Sequence, residues 1–150
     1  MSEETNSYLT TGRTIFLVED DDDARPGLTN HLRQLGYRLL VAADLEDAIE
    51  WMSGERVIHA DLVLINLVRR TPEETVKIGR GLREHARYDG MMPLVVMPER
   101  VPKELEGIDD NVGGNDWVCY YDDDSNQLEA LLARLLDKSS SSALPGSSLA

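Results

Sequence analysis

Five consecutive acids, Glu19 to Asp23, follow directly on a short apolar run, TIFLV. Read by itself, this is a solvated acidic loop, one of whose members caps a helix. A third apolar run, DLVLINL, carries Asn66 near its end, and Arg69-Arg70, the one adjacent basic pair in the chain, comes just after it. That pair is either part of a solvated loop or a contact for an anion or a partner. His31, His59 and His85 fall on three separate segments, so their spacing does not gather them around a metal. Cys119 sits inside an apolar run with no basic neighbour in sequence, which describes a buried, inert thiol. Neither GxGxxG nor GxxxxGK[ST] occurs, and Gly113-Gly114 alone does not cradle a phosphate.

The elements that must position these residues alternate along the chain. Apolar runs at Thr14 to Val18, Tyr37 to Val41, Asp61 to Leu67, Pro93 to Met97 and Trp117 to Tyr121 predict five strands. Leu28, Leu32 and Leu35 predict a first helix stopped by Gly36, with one of Asp21 to Asp23 as its cap. Asp44 caps a second helix carrying Leu45, Ala48, Ile49 and Met52. Thr71-Pro72-Glu73-Glu74 reads as a capping box with proline at the first helical position, opening a helix to about Arg87. Val101 to Asp110 predicts at best a weak helix, interrupted by Gly107. From Ser125 onward, Leu128, Leu131, Leu132, Leu135 and Leu136 form one amphipathic stripe. Alternating strands and helices predict an α/β fold, a three-layer (βα)5 doubly wound parallel sheet. In such a sheet the working edge lies at the carboxyl ends of the strands. Glu19, Asp20 and Asp21, then Asn66, Pro98, and Tyr120-Tyr121 are the residues there.

Composition narrows the function. The chain has 150 residues, 15 basic against 28 acidic side chains, and a formal net charge of −13. A field of that sign is a poor match for nucleic acid or an anionic membrane, so neither is expected as a direct partner. One cysteine allows no intrachain disulfide and suits a reducing compartment, and the apolar runs are too short to cross a bilayer. A cytoplasmic location is expected. Residues 1–12 read as a flexible lead-in, 13–137 as the folded domain, and 138–150, rich in serine, as a disordered tail or linker stub.

The segments FLVEDDDDARPGLTNHLRQLGY, DLVLINL, PLVVM and GGNDWVCYY, in this order and spacing, resemble the receiver domain of bacterial two-component response regulators, the CheY-like fold. The resemblance covers about residues 13 to 137 and implies a flavodoxin-like strand order of 2-1-3-4-5. It implies that the metal-holding acidic pair falls on Glu19 and Asp20. The phosphoacceptor position falls on Asn66, the hydroxyl position on Pro98, the lysine position on Tyr120, and the aromatic switch position on Trp117. The acidic pair survives and the other three functional residues do not. An amide oxygen is a far weaker nucleophile than a carboxylate. A neutral tyrosine brings no cation to the transferring phosphoryl group, and proline has neither hydroxyl nor N–H.

The resemblance therefore implies a pseudo-receiver, a signalling module of two-component phosphorelays working through protein–protein contacts without aspartyl phosphate. It is not expected to be an enzyme. No cofactor is required, though Glu19 and Asp20 leave room for weak Mg²⁺ binding. The expected partner is a protein, either a histidine kinase or a downstream signalling protein, or a second copy in a homodimer. Trp117 and Tyr121 are either a contact patch on the face of the fourth helix, fifth strand and fifth helix, or packing residues. Two alternatives stand beside this reading: a regulator phosphorylated at an unconventional acid such as Asp21 or Asp61, and a small-ligand sensor using the degenerate pocket.

Overall fold

The computed structural model describes residues 11–122 and 125–142, with side chains as far as 137. The elements are β1 (Thr14–Glu19), α1 (Arg25–Gln34), β2 (Arg38–Ala42), α2 (Leu45–Met52), β3 (Leu62–Asn66), α3 (Pro72–His85), β4 (Leu94–Val96), a 3₁₀ turn (Lys103–Leu105), β5 (Asp109–Gly113), β6 (Asp116–Cys119) and α4 (Gln127–Ser142). One six-stranded sheet has the order β2-β1-β3-β4-β6-β5. Every pairing is parallel except β5 with β6.

Strand alternation explains the three layers. Along β1, Phe16 and Val18 point to a core shared with Ala48 and Met52 of α2 and with Val76 and Leu82 of α3. Ile15 and Leu17 point the other way, onto Leu32 of α1 and the α4 stripe Leu128, Leu131, Leu132, Leu135 and Leu136. All six residues of β1 are buried. A continuous apolar run is what a strand covered on both faces requires. The expected doubly wound α/β architecture is therefore observed.

The caps follow local chemistry. Thr71 and Glu74 form the capping box of α3, with Pro72 in its first turn. Asp44 caps α2 by accepting from the Asp47 N–H at 2.7 Å. The first helix differs from expectation. Its N-cap is Ala24, with no side-chain hydrogen bond. Asp21 instead closes the preceding turn, its Oδ1 accepting from the N–H groups of Asp23 at 2.9 Å and Ala24 at 3.3 Å.

The segment expected to be a weak fourth helix is a correction. Residues 101–113 form the 3₁₀ turn and then an antiparallel edge strand, so the sheet order 2-1-3-4-5 gains a sixth strand beyond the fifth. Pro102 sits at the start of the 3₁₀ turn, and Gly107 just after it takes φ 87, a left-handed backbone that glycine adopts without strain. Gly113 and Gly114 take φ 125 and 56 at the hairpin turn, where positive φ is needed for the chain to reverse. Helix α4 runs to Ser142, past the expected domain boundary at 137. Thr11, in the expected lead-in, donates both N–H (3.0 Å) and Oγ1 (3.2 Å) to the Gly36 carbonyl. The remaining lead-in, residues 1–10, and the tail beyond 142 lie outside the described residues.

Candidate functional site

Parallel pairing brings the ends of β1 and β3 side by side, with Glu19 in register with Asn66. Glu19 is 2% exposed. The Asn66 Nδ2 donates to Glu19 Oε1 at 3.0 Å and Oε2 at 2.9 Å, and the Asp21 N–H donates to Oε2 at 3.1 Å. Burial pushes the Glu19 carboxyl above its ordinary range. The hydrogen bonds from Asn66 and the Asp21 amide pull it partly back, and the charges of Asp21 and Asp20 push it up again. Asp20 ties the same edge to the next loop, its Oδ1 accepting from the Val68 N–H at 2.8 Å. Arg25 reaches back from α1, donating to the Glu19 carbonyl at 2.8 Å and to Asp22 at 2.6 Å.

The direction of the Asn66 amide has a clear electrostatic cause. Turning Oδ1 toward Glu19 would set lone pairs against an anionic carboxylate. The NH₂ therefore faces it, and Oδ1 is buried with no hydrogen-bond partner among the described residues. A cation between the two groups would demand the opposite orientation. Among the described residues, no group of three or more His, Cys, Asp or Glu is placed to hold a metal ion. As arranged, the donor set does not fit Mg²⁺, because both Glu19 oxygens face the Asn66 NH₂ and one Asp20 oxygen is held by the Val68 N–H.

The remaining positions do not join this cluster. Pro98 lines a groove with Arg69, Arg70 and Arg100. Tyr120 lies by the hairpin, where it donates its N–H to the Ile108 carbonyl at 2.9 Å and accepts from the Gly107 N–H at 2.8 Å. With Pro72, Val76, Val112 and Val118 it lines a cavity of about 220 Å³. Its hydroxyl is pushed up by burial and by the charges of Asp110 and Glu73.

Trp117 and Tyr121 are half-buried and pack against the core on the α4 side. Arg134 of α4 lies 5.3 Å from the Trp117 ring centroid. The contact face drawn on a fourth helix does not exist in that form, since a hairpin occupies its place. The three histidines stay apart: His31 pairs with Glu129 at 3.3 Å, His59 with Asp61 at 3.4 Å, and His85 with Ser53 at 3.0 Å. Cys119 is buried, and burial together with Asp109 pushes its thiol up to about 12.

One network escaped the sequence reading. Asp116 on β6 is 4% exposed and meets two arginines of α3. Arg83 donates to its Oδ1 at 2.6 Å and Arg80 to its Oδ2 at 2.7 Å, while Arg80 also holds the Val112 carbonyl at 2.9 Å. This network pins the hairpin to the body of the domain. Its sequence trace is the i, i+3 spacing of Arg80 and Arg83 on one helix, which says nothing of a partner 33 residues further on.

No protein-family model matches this sequence, and no curated protein sequence matches it. Solved structures do. A response regulator receiver protein from Sinorhizobium medicae WSM419 has TM-score 0.60 at 20% identity, covering 83% of this chain and 94% of that one. The chemotaxis protein CheY4 of Vibrio cholerae has TM-score 0.58 at 19% identity, covering 83% and 98%. The chain has the receiver fold. Response regulator protein TrrA of Thermotoga maritima, solved in complex with Mg(2+)-BeF, also matches, with TM-score 0.57 at 16% identity over 83% and 99%. The CheY-like fold named from the sequence is therefore the observed one, with a hairpin where the fourth helix was expected.

Proposed function

We propose that this chain is a receiver-like module of two-component signalling that works through protein contacts and without aspartyl phosphorylation. One observation carries the reading. The side chain at the end of β3 is an amide, and its NH₂ is bonded to both oxygens of the buried Glu19. A receiver of this kind is a pseudo-receiver, held in one state by an Asn–Glu clasp. It acts by binding, not by turnover, and requires no cofactor. Weak Mg²⁺ binding at Glu19 and Asp20 would first have to turn the Asn66 amide.

The alternatives fare less well. Asp61 lies at the opposite, amino end of β3, where its Oδ2 accepts from the Thr14 N–H at 2.8 Å. The Asp21 carboxylate closes its own turn. The Asp61 carboxylate is also already engaged by Arg13 at 3.8 Å and His59 at 3.4 Å. A small ligand in the degenerate pocket would have to break the clasp to enter. The partner is then a protein, a histidine kinase or downstream signalling protein, or a second copy. The acidic balance argues against direct contact with nucleic acid or membrane. No helix among the described residues is long and apolar enough to cross a membrane.

Intact mass spectrometry after incubation with acetyl phosphate and Mg²⁺ tests the reading. The expected result is an unchanged mass. A gain of one phosphoryl group would overturn it, and mapping the adduct would identify the acid that takes the place of Asn66.

A further inference from the structure

Beside the Glu19–Asn66 clasp, the loops after β3 and β4 face one another across a groove of about 420 Å³. Arg69 and Arg70 come from the first loop, Arg100 from the second, and Pro72 and Pro98 form part of the walls. We propose that this groove binds the phosphate group of a small phosphorylated ligand, its oxyanion held by the guanidinium groups of Arg69, Arg70 and Arg100.

Three features lead there. The first is concentration of charge. In a chain of net charge −13, three arginines line one groove with a single acid, Glu99. They come from two segments some thirty residues apart, so the fold gathers them and composition does not.

The second is availability. Arg25, Arg80, Arg83 and Arg87 are each committed to a carboxylate or a carbonyl. No hydrogen bond or ion pair within the described residues engages the guanidinium groups of Arg69, Arg70 and Arg100, although the Glu74 carboxyl, lowered first by the Thr71 backbone N–H, also feels the charge of Arg70. Glu99 accepts from the backbone N–H of Arg69 at 3.3 Å. Its carboxylate ties the two loops together.

The third is shape. The volume lies within the range of small-ligand sites, about 300–1,000 Å³. A planar guanidinium fork matches two phosphate oxygens at once. The prolines bring no N–H. At the start of α3 the capping box engages the Glu74 N–H on Thr71 Oγ1 at 3.1 Å and the Thr71 N–H on Glu74 Oε1 at 2.9 Å. The guanidinium groups are therefore the charged donors that face the anion. No aromatic side chain lines the groove, so the phosphate, not a stacked ring, dominates recognition.

The test is a titration of the full chain with inorganic phosphate and with pyrophosphate, followed by nitrogen–proton correlation spectra. Saturable shifts confined to residues 69–71 and 99–100 are expected. Arg70→Gln and Arg100→Gln should each weaken binding about tenfold, the loss of one hydrogen bond to a charged group. Glu99→Gln removes the opposing charge, keeps the acceptor for the Arg69 N–H, and should tighten binding, an effect that unfolding cannot mimic. Arg33→Gln, an exposed arginine on α1, removes the same charge elsewhere and should leave binding within about twofold, as screening of a distant charge requires. Three results would overturn the proposal: no saturable shift in the groove, equal weakening by Arg33→Gln and Arg100→Gln, or a hexaglutamate peptide shifting the groove where phosphate does not.

Discussion

Replacing Asn66 by aspartate changes one NH₂ group to an oxygen and hardly alters shape. In the folded domain that atom sits 3.0 and 2.9 Å from the two oxygens of Glu19. Two hydrogen bonds to a buried carboxylate disappear, and loss of a donor to a charged acceptor costs about 1.5–3 kcal/mol. A second negative charge arrives at roughly 4 Å, worth about 4 kcal/mol of repulsion at an effective dielectric near 20. The pair escapes most of that repulsion by sharing one proton, so the two carboxyls titrate together with one raised well above its ordinary range. The expected destabilisation is about 3 kcal/mol at pH 8, or about 6–12 °C in Tm for a chain of this length. The sign of the pH dependence follows. A carboxyl raised in the folded state contributes stability that is complete below its unfolded value and is lost as pH rises through the folded one. Glu19 is already raised in the natural sequence, and the acid pair of the variant is raised further. The gap between the two proteins should therefore narrow on going from pH 8 to pH 5. Millimolar Mg²⁺ should narrow it too, since Glu19, Asp20 and the introduced aspartate would then form a three-carboxylate set, and should do little to the natural sequence. Urea unfolding at both pH values, with and without Mg²⁺, measures all of this. Equal stabilities at pH 8, or a gap that widens on acidification, would refute the account of the clasp.

Other perturbations probe the frame around the site. Asp116→Ala leaves the buried Arg83 unpaired and should cost about 3–5 kcal/mol in chemical denaturation. Arg80→Ala, on a half-exposed partner, should cost about 1 kcal/mol or less, and similar losses for the two would contradict the burial difference. Cys119 should resist a thiol reagent in native buffer at pH 8 and react at the rate of global unfolding, because burial holds its proton to about pH 12; modification within minutes in native buffer would show an open path to it. Thr71→Ala removes the α3 cap and should lower stability by about 1 kcal/mol, measured by thermal unfolding.

Much of the molecule was legible in its residues because the signals are local. Apolar runs such as TIFLV and DLVLIN mark strands covered on both faces, Thr71 to Glu74 mark a helix start, and the leucine stripe from Leu128 to Leu136 marks a covering helix. Those patterns, with their order, suffice for a doubly wound sheet and for the positions of Glu19, Asp20 and Asn66 on its working edge. They also settle the chemistry of Asn66 itself, since an amide is an amide in any fold. What tertiary structure decided depends on residues far apart in sequence. The segment from Val101 to Gly114 has weak propensity of either kind, and pairing with β6, reinforced by Asp116 between Arg80 and Arg83, makes it a strand. The direction of the Asn66 amide depends on Glu19, 47 residues away. The gathering of Arg100 with Arg69 and Arg70 depends on two strands lying side by side. Local sequence specifies where the chain turns helical or extended, because those choices are made over a few residues. Which side chains then face each other is set by burial and charge across the folded core, and becomes defined when the sheet closes.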